Sequence, residues 1–281
     1  MLDTSAVDCG LASTIFAGKL HHFASIDSTN TYAMQQARLG AAHGCVYVAD
    51  EQTAGRGRSD HQWLSAAGQG LYASVIVRPR IVTSQLVWFP LLAGLALHRA
   101  VLETTGLCAD LRWPNDLMLG ERKVAGILVE AQTDTEQHNV VVIGIGVNLH
   151  QREFSDKLST PATSLDLETG RFVSREDLLV ALLQSLHREF EPLTDDKQCE
   201  LAFSAIPARM EAISTWIRGK AVEVHGPQTV CGITAGLSPE GFLHLDSEQG
   251  RITVTTGGLR KAPIGWDTNS ARRVTITLNG R

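Results

Sequence analysis

Gly55-Arg56-Gly57-Arg58 alternates two glycines with two arginines, a short way after the apolar run Cys45 to Ala49. Glycine lets backbone N–H groups come close to a ligand, and arginine adds a fork of donors that matches a carboxylate or a phosphate. A solvated turn with two surface arginines would also explain an isolated Gly-Arg-Gly-Arg. The neighbouring Glu51-Gln52-Thr53-Ala54, with Trp63 and Gly70-Leu71-Tyr72 downstream, favours a loop that folds over an anion.

Three more clusters carry chemistry of the same kind. Arg112-Trp113-Pro114-Asn115-Asp116 reads either as a strand ending in a turn or as a cation, an apolar wall and a carboxylate that accepts hydrogen bonds or helps hold a metal. Lys123-Val124-Ala125-Gly126-Ile127-Leu128-Val129-Glu130 opens an apolar strand with a lysine that either snorkels at the strand end or neutralises charge built up in a transfer. Gly126 would let a ligand or another backbone approach closely. Gly144-Ile145-Gly146-Val147-Asn148 lacks the third glycine and the following helix of a dinucleotide fingerprint, and reads instead as a flat slot cleared on one strand face. Ser28-Thr29-Asn30 caps a helix or binds an amide-like head group. His21, His22, His43, His138 and His187 form no metal-ligand spacing, and no Gly-x-Ser-x-Gly or Cys/His signature stands out. Covalent catalysis by the protein is not expected.

These residues need a frame. A capped helix is expected around Tyr32 to Ala37, and strands at Cys45 to Ala49 and Leu71 to Val77. Leu86 to Glu103 reads as a core helix closing at Gly106. A Pro-Asn-Asp turn interrupts a strand before Leu117 to Leu119. Lys123 to Ala131 and Asn139 to Leu149 read as a long hairpin in the middle of a sheet. Helices are expected from Ser174 to about Phe190 and from about Gln198 to Ile213. After Arg218 the pattern changes to short strands, Ala221 to His225, Thr229 to Ala235, Phe242 to Leu245 and Ile252 to Thr256, which suggest a small β-barrel. The expected division is therefore a catalytic part over 1–215 and a small β-domain with a tail over 216–281. The tail from Pro263 ends in the strand-like Val274 to Leu278 and has no assigned function.

The 281 residues are 43% hydrophobic and 20% charged with a formal net charge of −5, which argues against a general nucleic-acid-binding surface. Five scattered cysteines without a Cys-x-x-Cys pair argue against a disulfide framework or a zinc site. No apolar run is read as membrane-spanning; the longest, Leu86 to Leu97, carries Pro90. The first residues lack a signal-peptide pattern, and a cytoplasmic location is expected.

In the order Ser-Thr-Asn, Gly-Arg-Gly-Arg, Arg-Trp-Pro-Asn-Asp, Lys-Val-Ala-Gly-Ile-Leu and Gly-Ile-Gly-Val-Asn, the chain resembles the biotin–protein ligases over roughly residues 20–260. The resemblance implies an α+β fold: a mixed β-sheet flanked by helices, as in class II synthetases, followed by a small C-terminal SH3-like β-barrel. It implies that biotin and ATP, with Mg²⁺, give biotinyl-5′-AMP, and that biotin then passes to one lysine of a biotin carboxyl carrier protein. About twenty residues precede the catalytic part, so a form without a DNA-binding domain is expected, binding neither DNA nor membrane, as a monomer or homodimer. By position, Ser28, Thr29, Asn30, Gln52, Gly55, Arg56, Gly57, Arg58, Lys123, Gly126 and Gly144 would bind biotin. Arg58, Trp63, Asn115, Asp116, Lys123 and Asn148 would serve the nucleotide, with Asp116 toward the metal. Lys123, Arg56, Arg58 and Arg112 would be the catalytic cations. Arg112 stands where that family usually has lysine, and Ser59-Asp60-His61 where many members continue with glycine and another arginine. A lipoate–protein ligase and a non-catalytic biotin-responsive binding module are the competing readings.

Overall fold

The computed structural model describes residues 2–59, 61–134, 138–226, 229–263 and 266. A short helix α1 (Thr4–Gly10), which the sequence reading did not anticipate, leads to strand β1 (Leu20–Phe23). Helix α2 (Thr29–Arg38) follows, with the Ser28 side chain accepting from the Thr31 N–H as its cap. Strands β2 (Val46–Ala49) and β3 (Gly70–Val77) flank the arginine loop, and helix α3 (Phe89–Thr105) ends at Gly106 in the left-handed conformation. Strands β4 (Asp110–Arg112), β5 (Asp116–Leu119), β6 (Arg122–Thr133) and β7 (Asn139–Asn148) complete a seven-stranded sheet of order β1-β2-β3-β7-β6-β5-β4. The β1–β2 pair is parallel and the others are antiparallel, so the sheet is mixed as expected. The β6–β7 hairpin occupies the middle of the sheet.

The period of two in the central strands sorts the side chains into two layers. Leu71, Ala73, Val75 and Val77 of β3, with Val141, Ile143, Ile145 and Val147 of β7, enter the large core. That core is closed by α3, by α4 (Leu165–Thr169), by α5 (Arg175–Phe190) and by α6 (Asp196–Ile213). Phe89 of α3 stacks on Phe190 of α5 with centroids 5.8 Å apart, and Trp88 stacks on Phe203 of α6 at 6.0 Å. The opposite face carries a small second core beneath α2, made by Ala33, Ala37, Cys45, Tyr47, Ile76, Val140 and Val142. Farther along the same face, the glycines of β6 and β7 carry no side chains of their own and leave a shallow slot that Asn30 and Trp63 approach.

The stretch Thr83–Thr105 is 23 residues long and apolar enough to cross a membrane by length and composition, contrary to the sequence expectation, but 67% of its apolar window is buried inside the protein. Pro90 does not break it because it falls in the first turn of α3, where its missing N–H has no intrahelical partner to lose. It is the helix around which the large core packs.

The second sheet comprises β8 (Arg218–His225), β9 (Val230–Leu237), β10 (Leu243–Ser247), β11 (Gly250–Val254) and β12 (Gly258–Lys261), antiparallel in the order β11-β10-β9-β8-β12. The sequence reading left β12 unassigned because Gly257 and Gly258 hide a strand that pairs with β8. The strand-like Val274 to Leu278 lies outside the described residues.

Leu92 lies in α3 and is fully buried in the large core. Leu92→Ala is expected to lower the unfolding free energy by about 2–5 kcal/mol, read from urea denaturation midpoints.

Candidate active site

The slot face of the sheet follows from register. Gly126 pairs with Gly146, Leu128 with Gly144, and Gly144 on its other side with Ser74. These positions alternate with the core residues, so three glycines and a serine meet on one face. A Cβ on Gly144 would stand 2.6 Å from Asn30 Oδ1, and one on Gly146 would stand 2.5 Å from Trp63 Nε1. The glycines are therefore required by close approach of Asn30 and Trp63 to the sheet, in the state described.

Lys123 reaches the same face through an irregularity. Strict alternation would put residues 123 and 126 on opposite faces. The β5–β6 register shifts between Leu117 and Met118, and Val124 and Ala125 both enter the large core. The bulge resets the phase and turns Lys123 back toward the Gly126 side. Its backbone is held there by Lys123 N donating to Pro161 O at 2.8 Å and Thr163 N donating to Lys123 O at 3.0 Å.

Lys123 Nζ lies 2.6 Å from Asp116 Oδ1, and Arg112 donates to Asp116 Oδ2 through Nη2 at 2.6 Å and Nε at 3.2 Å. Arg112 also donates to Thr160 Oγ1 at 3.1 Å and lies over the Trp216 ring, 5.6 Å from its centroid. Burial works against the charge of Asp116, but the adjoining Lys123 and Arg112 outweigh it and hold the carboxyl below the usual carboxylate range. Arg58 donates to Asn115 Oδ1 at 3.0 Å and to Gly257 O at 3.1 Å, which joins the arginine loop to the end of the second sheet. Burial lowers the pKa of Arg58, with Asp116 acting in the opposite direction.

One cavity of about 1280 Å³ is lined by nearly all the residues singled out in the sequence. Ser28, Thr29, Asn30, Gln52, Arg56, Gly57, Arg58, Trp63, Arg112, Asn115, Asp116, Lys123, Gly126, Gly144 and Asn148 all border it. Gly55 does not. It is buried against the Trp63 carbonyl, 2.5 Å from where its Cβ would be, so it serves the path of the loop instead of the cavity surface. Gln52 accepts from Thr29 N at 2.9 Å and donates to Ser65 Oγ at 2.8 Å, fixing both ends of its amide. Asn148 donates to Thr163 O at 3.0 Å. Trp63 Nε1 is buried without a hydrogen-bond partner among the described residues, beside Gly146, and the Lys123 ammonium lies 5.3 Å from the Trp63 ring centroid.

Several lining residues escaped the sequence reading. Ser74 donates to Thr29 Oγ1 at 2.9 Å, and its only signal was a lone hydroxyl in an apolar strand. Residues 153–155 and 158–160, with His225 and Gly226, also line the cavity and no motif marked them; residues 256–260 line it too, of which Gly257-Gly258-Leu259-Arg260 partly resembles the family's usual ending.

The donor set does not fit a resident metal. Among the described residues no group of three or more His, Cys, Asp or Glu could hold an ion, and both Asp116 oxygens already serve Lys123 and Arg112. In the structure described the carboxylate accepts hydrogen bonds from Lys123 and Arg112.

Comparison with known proteins identifies the frame. The Biotin/lipoate A/B protein ligase family matches residues 22–148. The bifunctional ligase/repressor BirA of Bacillus subtilis is 31% identical over 253 residues, covering 89% of this chain and 76% of that protein. The biotin–[acetyl-CoA-carboxylase] ligase of Mycobacterium tuberculosis is 33% identical over 242 residues, covering 84% and 85%. The chain belongs to the biotin protein ligases. Its fold agrees with the biotin protein ligase of Aquifex aeolicus, solved with biotin and ATP, at a TM-score of 0.72 and 28% identity over 87% of this chain and 100% of that one. In this ligase the glycine slot and the cations around Asp116 thus share a cavity on the sheet that carries the family match.

Asp116→Asn would leave the buried Arg112 and the half-buried Lys123 against a neutral amide and is expected to cost about 2–4 kcal/mol of stability at neutral pH. A carboxyl with a depressed folded pKa contributes stability above its unfolded pKa and loses it as pH falls through the folded value. The difference in urea midpoint between wild type and variant should therefore hold from neutral pH down to about 5 and narrow below about 4.

Proposed function

We propose that this ligase activates biotin with ATP to biotinyl-5′-AMP and then passes the acyl group to a lysine of a biotin carboxyl carrier protein. The observation that carries the proposal is the grouping of Lys123, Arg112 and Arg58 around Asp116 in the cavity that the glycine slot opens. In the first step a biotin carboxylate oxygen attacks the α-phosphorus, a P–O bond forms, and the bond to pyrophosphate breaks. Two anions must meet, and fixed cations offset their repulsion where water is excluded. In the second step the acceptor amine attacks the acyl carbon, AMP leaves with the electron pair of the C–O bond, and the amine loses its proton.

In this reading the slot of Gly126, Gly144 and Gly146 takes the flat ring system, with Ser28, Thr29, Asn30 and Gln52 offering polar partners to its head. Lys123 serves the carboxylate and α-phosphate, Arg112 and Asp116 position it, and Arg58, Trp63, Asn115 and Asn148 serve the nucleotide side. Arg56 and Gly57 belong to the loop over the acid. Mg²⁺ accompanies the nucleotide in the proposed reaction but takes no step here, since the residues do not build a site for it. The named relatives favour biotin over lipoate as the acid.

The test is exchange of labelled pyrophosphate into ATP with biotin and, in parallel, with lipoate. Biotin alone should support exchange; exchange with lipoate alone, or with neither acid, would overturn the reading. Lys123→Ala should lower the biotin-dependent rate by about 10²–10³-fold while circular dichroism stays unchanged. A near-normal rate in that variant would remove Lys123 from its role.

A further inference from the structure

Glu130 lies on β6 on the slot face, two residues beyond Leu128, yet it is not among the residues that line the cavity. Its carboxylate joins two that are. Arg56 donates to both oxygens, Nη1 to Oε2 at 2.9 Å and Nη2 to Oε1 at 3.0 Å, and Asn30 Nδ2 donates to Oε2 at 2.5 Å. The Asn30 amide is thereby fixed with its nitrogen on Glu130 and its oxygen over Gly144, 3.3 Å from Ser74 Oγ. Of the five N–H donors of Arg56, two are engaged by Glu130 and the remainder can meet a ligand.

We infer that Glu130 is a positioning residue that latches the arginine loop and the first turn of α2 to the central sheet, and so sets the acid-binding end of the cavity without touching the substrate. The inference rests on the proposed function for the identity of that acid. Two cavity residues from distant parts of the chain, Asn30 and Arg56, share one partner, and the paired fork geometry fixes direction as well as charge. A carboxylate is required. An amide at 130 could keep one oxygen for Asn30 and Arg56 Nη1, but its NH₂ would face the Arg56 Nη2 donor, which breaks the paired fork and removes the charge. Arg56 is 45% exposed, so the ion pair is screened, and the expected consequence is looser loop closure with the fold kept.

Glu130→Gln, close to isosteric, is the variant to make. Trypsin should cleave after Arg56 or Arg58 in the ligand-free variant about fivefold faster than in the unaltered chain, read by mass spectrometry, because opening of the loop becomes more frequent. In pyrophosphate exchange the KM for biotin should rise about 5–20-fold while the KM for ATP and the melting temperature stay near their original values, since only the acid end is disturbed. Equal cleavage rates would overturn the latch, and so would a parallel rise in both KM values accompanied by a lower melting temperature. Absence of biotin-dependent exchange in the unaltered chain would sink the proposed function instead, and the proteolysis comparison would still decide whether Glu130 holds the loop.

Discussion

The site depends on one largely buried carboxylate that holds two cations. Lys123 and Arg112 could not stand together in a largely buried pocket if Asp116 were absent, because two like charges would be desolvated without a partner. With Asp116 between them the trio keeps a net charge of one sign, which is what an approaching pair of anions needs. Arginine at 112 suits this arrangement in ways lysine would not. Its planar head reaches Asp116 through two nitrogens, gives a further hydrogen to Thr160 and lies over Trp216. The family difference noted in the sequence thus keeps the charge and adds a stacking surface.

That surface comes from the link between the two sheets. Ser214 Oγ donates to Leu111 O at 2.5 Å, and Thr215 donates to both oxygens of Asp110, from N at 3.0 Å and from Oγ1 at 2.5 Å. The chain leaving α6 is therefore bonded along β4, directly before Arg112, and Trp216 is delivered against the guanidinium. Lys220 approaches the same ring, 4.8 Å from its centroid. At the other end of the second sheet, Gly257 accepts from Arg58, and Lys261 pairs with Glu121. The second sheet thus meets Arg112 through Trp216 at one end and accepts from Arg58 through Gly257 at the other, and it contributes part of the cavity wall.

Much of this was legible in the chain because the signals were local. The cap at Ser28, the glycine stop at Gly106, the alternation in β3 and β7 and the central hairpin need only neighbours in sequence to be recognised. The parts that were not legible depend on distant partners. Nothing near Val124 announces a bulge, yet the bulge decides which face Lys123 serves. Glu130 closes the lysine motif with no role assigned to it in the sequence, and Trp216 belongs to no motif; only the fold shows what each one meets. Strand β12 was lost because glycines mask a segment whose pairing with β8 is set by tertiary structure. Gly55 differs in another way: the motif groups it with the ligand loop, and the structure places it against the loop's own backbone, outside the cavity lining.

The loop itself shows why external bonds are needed to define it. Residues 56 and 62 bridge, Gly57 N donates to His61 O at 2.6 Å, and His61 N donates back to Arg58 O at 3.1 Å, so the loop folds onto itself as a tight reversal. Ser59 sits in that reversal at φ 49°, a conformation that costs a residue with a Cβ about 1–3 kcal/mol. A reversal carrying such a cost gains little stability from its own hydrogen bonds, and its position over the slot must come from Arg56 on Glu130 and Arg58 on Asn115 and Gly257. The two arginines that give the loop its charge are thus also its anchors. An anion that binds either guanidinium acts on groups already fixed in place, and it meets a lower entropic cost than it would with a free loop. Loop closure and anion affinity are for this reason two aspects of the same set of contacts.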